Sequence, residues 1–235
     1  MRQLVEGILL KRMAYSETSL ITTFYTKQEG LQTFLFQGGK KKKGNSLQPL
    51  ARFELAFFKR PDSELGKITT IQSLSSFQSI PFHPVKSGIA FFLAELLEKC
   101  LRSVESDRKL YAFLIEEIQF LDENNFLANY PIWFMIQFTS FLGIEPLLID
   151  KEPRFFDVEE GELLANQPTG HIFIQDETIP LISFFLKNTK EITLQTTIPK
   201  VLRKTLQENL LDYYKRHVAG FGTLKSWQVL QEVFS

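Results

Sequence analysis

Over its first eighty residues the chain alternates short apolar runs with polar turns, and from Pro84 onward the apolar positions recur every three or four residues. Residues 4–11 form an apolar run that ends in charge, and residues 20–26 (LITTFYT) are β-branched and aromatic, as strands prefer. The turn Lys27-Gln28-Glu29-Gly30 joins this run to residues 31–36 (LQTFLF), which predicts a hairpin. Residues 53–59 and, after the turn Pro61-Asp62-Ser63, residues 67–75 complete five strands with no helical period between them. That is the complement of a small closed barrel such as the OB-fold, and five strands alone also suit an SH3-like barrel.

The second half reads differently. Val85, Ile89, Phe92, Leu93, Leu96, Leu97 and Cys100 lie at helical spacing, with Glu95 and Glu98 each four residues before a cation, Lys99 and Arg102. Ser106-Asp107 can cap a second helix running to about Leu121, and Pro131 suits the first turn of a third that Gly143 ends. Trp133, Phe134, Met135 and Phe138 of that third helix are expected in the core. Residues 155–163 read as strand, turn and strand, residues 171–174 as a further strand, and residues 180–187 as a short helix. Val201, Leu202, Leu206, Leu210, Leu211, Tyr214 and Val218 mark a long helix stopped by Gly220 and Gly222, and Trp227 and Leu230 mark a last one. The expected class is α+β: a barrel over residues 1–80, a helical domain in two parts, 81–143 and 196–235, and a small β subdomain at 144–195 between them.

Composition changes this picture in one respect. The net charge is zero, yet residues 1–80 carry twelve Lys/Arg against six Asp/Glu, whereas residues 81–150 carry five against ten. Such asymmetry points to contact of the basic part with nucleic acid or a membrane surface. Cys100 is the only cysteine, so no intrachain disulfide and no multi-thiolate metal site can form, which fits a reducing compartment. The amino terminus lacks the pattern of a signal peptide and no apolar run is long enough to span a bilayer, so a soluble, cytoplasmic protein is expected.

The chemistry of catalysis is hard to find. His83, His171 and His217 are dispersed, without metal-ligand spacing, and the doublets Glu116-Glu117 and Glu159-Glu160 point apart on a helix or strand. Gly39 and Gly44 have the spacing that opens a phosphate-binding P-loop, but Asn45-Ser46 follows where Lys-Ser or Lys-Thr is required. No enzyme, metal or cofactor is expected.

Binding is better supported. Lys40, Lys41, Lys42 and Lys43 stand consecutively between Gly38-Gly39 and Gly44, a run suited to solvent and to phosphate. The first eighty residues also offer Lys11, Arg12, Arg52, Lys59 and Arg60. On an OB-fold a basic groove with aromatic platforms holds a single strand, and Tyr25 is the candidate platform because a phenol tolerates water. Near the carboxyl end, Lys215 and Arg216 with Lys225 and Trp227 form a candidate site for an acidic, aromatic-ended peptide. The competing reading of Lys215, Arg216 and His217 is complementation of a helix dipole.

The segments Glu6-Gly7-Ile8-Leu9-Leu10-Lys11, Tyr15-Ser16-Glu17-Thr18-Ser19-Leu20-Ile21, Gly38-Gly39-Lys40-Lys41-Lys42 and Leu47-Gln48-Pro49-Leu50, in this order, resemble the amino-terminal domain of bacterial RecO proteins. Tyr213-Tyr214, His217, Gly220-Phe221 and Leu224-Lys225-Ser226-Trp227 resemble that family's closing signature. The resemblance implies an OB-fold followed by a helical domain, binding of single- and double-stranded DNA, annealing of complementary strands, and work with RecR in loading RecA onto DNA covered by single-strand DNA-binding protein, whose tail is acidic. It implies that residues 40–43 contact phosphates, with Arg12 and Arg52 nearby, in a protein of the bacterial nucleoid. Many members carry a four-cysteine zinc ribbon, but the matching region around Phe156-Asp157-Val158 has no cysteine, which implies a metal-free version. The alternative reading is a protein adaptor whose helical domain recruits a partner while the barrel binds no DNA.

Overall fold

Alternation of core-facing and outward residues closes the first five strands on themselves. In the computed structural model, which describes residues 2–39, 47–60, 63, 65–102, 105–125 and 128–234, β1 is Arg2–Ala14, β2 Leu20–Thr26, β3 Gly30–Phe36, β4 Arg52–Phe58 and β5 Leu65–Ser73. They form a closed barrel in the order β1-β2-β3-β5-β4, antiparallel except for the short parallel pairing of β3 with β5. That order and closure are those of an OB-fold, and the SH3-like alternative falls away. The lysine run and most of the expected turn at 61–63 lie outside the described residues.

The barrel interior is aromatic. Phe24, Phe34, Phe53 and Phe57 are fully or almost fully buried, with Phe34 edge-on to Phe24 at 5.9 Å and to Phe57 at 4.8 Å between ring centres. Because β-strand side chains alternate, Ile21, Thr23 and Tyr25 of β2 and Leu31, Thr33 and Leu35 of β3 face outward. A register shift between Leu9 and Lys11 of β1 marks a bulge, after which Lys11 pairs with Thr23 and Met13 with Ile21.

Six helices follow where the sequence predicts them and α5 is an addition: α1 is Pro84–Cys100, α2 Arg108–Glu123, α3 Tyr130–Phe141, α4 Ile179–Lys187, α5 Lys190–Gln195, α6 Lys200–His217 and α7 Ser226–Val233. Asp107 caps α2, its carboxylate accepting the Lys109 N–H at 2.6 Å. The chain divides into two compact units, residues 1–124 with 224–235, and residues 125–223. The first unit thus keeps α1 and α2 with the barrel and recruits α7 from the far end of the chain. Glu95 of α1 anchors α7 by accepting from the Ser226 N–H at 2.7 Å and the Lys225 N–H at 3.1 Å. Gly88 completes the seam, since a Cβ there would meet Val233 at 2.8 Å.

In the second unit the apolar α3 is the centre, and Trp133, Phe134, Met135 and Phe138 are buried as expected. Tyr214 of α6 donates its hydroxyl to the Met135 carbonyl at 2.7 Å. A four-stranded sheet in the order β6-β8-β7-β9 is built from Leu147–Leu148, Phe155–Asp157, Glu162–Leu164 and Phe173–Ile174, numbered β6 to β9 in chain order. Among the described residues no cluster of His, Cys, Asp and Glu could hold a metal ion. Protein bonds engage both oxygens of the buried Asp157 instead: one accepts the Glu159 and Glu160 N–H groups at 2.9 and 3.1 Å, and the other pairs with His171 Nδ1 at 2.7 Å. The residues at this position therefore do not fit zinc, and the small sheet is held by Asp157 and by Phe156 packed on Tyr213.

Gly161 is where this sheet tolerates no side chain. Its φ is +75°, and a Cβ would run into the Tyr213 hydroxyl, which donates to the Ile144 carbonyl at 2.9 Å. Gly161→Ala is expected to destabilise the second unit by about 2–3 kcal/mol, combining left-handed strain with a displaced buried phenol. Urea unfolding followed by Trp133 fluorescence in a Trp227→Phe background measures it, and a loss below about 0.5 kcal/mol would show that the sheet accommodates the methyl.

Candidate nucleic-acid interface

Strand register lays the outward residues of the barrel wall in lateral rows, one residue per strand. Arg52, Ile8, Tyr25 and Leu31 form one such row across β4, β1, β2 and β3. Helix α2 packs on it. Tyr25 is 0% exposed, its ring lies 6.3 Å from that of Tyr111, and its hydroxyl accepts the Asp107 N–H at 3.1 Å. Burial raises its pKa, as it does that of Tyr111. Tyr25 consequently presents no face to a base, and the expectation that it is a stacking platform is corrected: outward on the sheet is not outward on the molecule once a helix covers that row.

Arg52 is half-buried at the same place. Its guanidinium bonds Glu6 at 2.7 Å, and Glu6 also accepts the Tyr111 hydroxyl at 3.2 Å. This cation is matched internally and stabilises the barrel's junction with α2. Arg12 is exposed on β1.

Beyond the bulge the next row is Lys11, Thr23, Thr33 and Leu65, followed by Met13, Ile21, Leu35 and Lys67. Lys11 Nζ lies 3.4 Å from Glu98 of α1, and Arg102, just past the end of that helix, lies 3.0 Å from the same carboxylate oxygen. Glu98 is therefore shared by two cations that sequence spacing pairs only in part: the step from Glu98 to Arg102 is visible, but Lys11 arrives from a strand 87 residues away. Lys59 donates to Gln32 at 2.9 Å, and Leu31, Gln32, Thr33, Lys59, Leu65 and Arg102 line a depression of about 560 Å³. A second depression of about 450 Å³ lies where β3 and β5 diverge, between Phe36-Gln37 and residues 67–71. Nothing in the sequence marks Lys67 or Arg102 as a binding residue; strand register is the signal that places Lys67 beside Leu35.

The carboxyl-terminal candidates belong to different units. Lys215 and Arg216 are exposed in the last turn of α6, in the second unit, and Lys215 pairs with Asp212 at 2.6 Å. Lys225 and Trp227 belong to the first unit, where Trp227 is half-buried with its ring 6.2 Å from Phe92. Trp227 packs α7 onto α1.

A closed barrel of this order, with cations and small apolar side chains on its open wall and a helical body after it, defines an OB-fold protein of the α+β class. The family follows from comparison with known sequences. Residues 1–77 match the family model for the recombination protein O N terminal domain and residues 82–228 that for the C terminal domain. Aligned over their full lengths, the chain is 32% identical to the DNA repair protein RecO of Phocaeicola vulgatus and 34% identical to that of Bacteroides fragilis. It is 28% identical to the Porphyromonas gingivalis protein of the same name over 97% of each chain. The chain belongs to the recombination protein O (RecO) family.

Proposed function

We propose that the protein is a non-catalytic DNA-binding protein of recombinational repair, which binds single- and double-stranded DNA, anneals complementary strands, and acts with RecR to load RecA on DNA coated by single-strand DNA-binding protein. The observation that carries this reading is the continuity between a run of four lysines, residues 40–43, and an OB-fold barrel in a chain of the RecO family. Consecutive cations bind phosphate without reading bases, and a protein that binds both of two complementary strands by their phosphates raises their local concentration and screens their repulsion. Such a protein works in the cytoplasm at the nucleoid. No helix among the described residues is long and apolar enough to cross a membrane.

The test is annealing of two complementary labelled oligonucleotides, naked and coated with single-strand DNA-binding protein, across a salt series. Accelerated annealing that fades as salt rises is the expected result. Failure to bind or anneal either strand at low salt would leave the adaptor reading in front.

A further inference from the structure

A strand covered on one side alternates apolar with polar residues, whereas each strand of the small sheet carries two apolar residues in succession: Leu147-Leu148, Phe155-Phe156, Leu163-Leu164 and Phe173-Ile174. Both faces of this sheet are therefore apolar. Register assigns Leu148, Leu163, Phe156 and Ile174 to one row, and theirs is the covered face: Leu163 and Phe156 are 0% exposed, and the Phe156 ring lies 5.1 Å from that of Tyr213 on α6. The adjoining row is Leu147, Glu162, Asp157 and Phe173, and the paired Phe155 and Leu164 continue the same outer face. Leu147 is 51% exposed and Phe155, Leu164 and Phe173 are half-buried, while Ile149 and Ile172, next to the strand ends, are 55% and 52% exposed. Phe155 and Phe173 meet edge-on at 5.5 Å between ring centres.

Charge surrounds this face on one side. Residues 144–178 carry nine Asp/Glu, against Lys151 and Arg154 alone. The turn from β7 to β8 puts exposed Glu159 and Glu160 at the end of the sheet where Leu147 pairs with Glu162, and exposed Glu145 precedes β6 at that same end. Asp157 is matched by His171, but Glu145, Glu159, Glu160 and Glu162 form no ion pair among the described residues. Such a surface repels phosphates and acidic peptides alike. An apolar sheet face is ordinarily covered by a helix, and four strands about 4.8 Å apart give a width of about 15 Å, room for one helix about 10 Å across. The exposure of Leu147 leaves that layer open.

We propose that the outer face of the β6-β8-β7-β9 sheet docks a basic amphipathic helix of another protein, whose aliphatic stripe covers Leu147, Ile149, Phe155, Leu164 and Phe173 and whose cations face Glu145, Glu159, Glu160 and Glu162. The proposal goes beyond the DNA-binding reading and uses neither the barrel nor the lysine run. A second copy of this chain fits the face less well. Its most basic segment, residues 40–43, has no apolar residue within the run, and its basic helix α6 already buries Leu206, Leu210 and Leu211 in its own core. A foreign helix supplies both chemistries at once. A protein that brings others to DNA needs a surface that DNA does not contest, and an acidic one meets that need.

The experiment is affinity of the full chain for a fluorescein-labelled peptide of about fourteen residues, with leucines at helical spacing and lysines elsewhere, against a control peptide of the same composition in scrambled order. The ordered peptide is expected to bind about tenfold more tightly than the scrambled one. Leu147→Ser/Ile149→Ser, at two exposed positions outside the core, is expected to weaken the ordered peptide about tenfold. Glu145→Gln/Glu159→Gln/Glu160→Gln should weaken it severalfold at low salt and flatten its salt dependence. Val201→Ser, an exposed aliphatic position near the start of α6, is the control and should leave affinity unchanged. Annealing of oligonucleotides by all these variants should match wild type, so the docking surface and the DNA-binding reading fail separately. Equal binding of the two peptides, no binding of either, or an unchanged affinity in the serine variant would overturn the proposal. Self-association of the full chain in sedimentation velocity, abolished by Leu147→Ser/Ile149→Ser, would give the face to a second copy and overturn it as well.

Discussion

With Lys40, Lys41, Lys42 and Lys43 all changed to Gln, the dependence of log affinity for a single strand on log salt is expected to flatten by about 3, with affinity lost most at low salt. The expectation follows from counterion release: each phosphate neutralised on a single strand contributes about 0.7 to the slope, and four adjacent cations can meet four phosphates. Where the run joins the barrel is fixed. It follows β3, whose last residue Phe36 pairs with Leu20 at the start of β2, so the chain leaves for the lysines at the end of the barrel that also carries Met13 and Tyr15. Fluorescence anisotropy across a salt series checks the expectation, with thermal melting as a control for folding. An unchanged slope would leave the lysine run out of the contact with DNA and would remove the observation on which the proposed function rests.

Much of the barrel is legible in the sequence because β-branched and aromatic residues mark Leu20–Thr26 and the alternating Phe53, Leu55 and Phe57 mark Arg52–Phe58. What alternation cannot give is which outward row a later element covers. Tyr25 and Ile21 are equivalent in the pattern of β2, but α2 packs on the first and leaves the second half-open. Glu95 illustrates the same limit on a helix. Its spacing to Lys99 predicts a surface pair, whereas its carboxylate caps a helix 131 residues further on, a partner no local pattern contains. The strands of the small sheet are only two or three residues long, too short for a period, and Asp157 is recognisable as its keystone only when the Glu159, Glu160 and His171 donors are seen around it. The site fared unevenly for a related reason: charge in the sequence locates Lys11, Arg12 and the lysine run, but only geometry distinguishes Arg52, matched by Glu6, from Lys67, which is open.

Asp122→Ala is expected to cost the first unit about 3 kcal/mol, more than any other exchange of a partly exposed carboxylate in that unit. Asp122 lies in the last turn of α2 and receives the chain as it leaves the barrel for α1: its two oxygens accept the N–H groups of Gln78, Ser79 and Ile80, each at 2.8 Å. The Ser79 hydroxyl joins them at 3.1 Å, and buried Lys86 donates to that hydroxyl at 2.8 Å and to the Asp122 carbonyl at 2.7 Å. Removing the carboxylate strands three N–H donors, while the two acceptors of Lys86 remain. Burial alone would raise the Asp122 pKa, but the donors from Gln78, Ile80 and Ser79 outweigh it and hold the carboxyl below the usual aspartate range. A depressed folded pKa gives stability that is fully present above the unfolded value, about 3.9, and that is lost as pH falls through the lower folded value. Wild type should therefore lose stability from about pH 5 downward by a component that Asp122→Ala lacks, so the difference between the two proteins should shrink as acid is added. Trp227 reports the first unit once Trp133 is replaced by Phe, and urea midpoints between pH 3 and pH 7 then measure both curves. Parallel curves with a constant gap would show that the carboxylate contributes by shape alone, and that the turn at residues 78–80 is held by the packing of Ile80 and the hydrogen bond from Ser87 to its carbonyl.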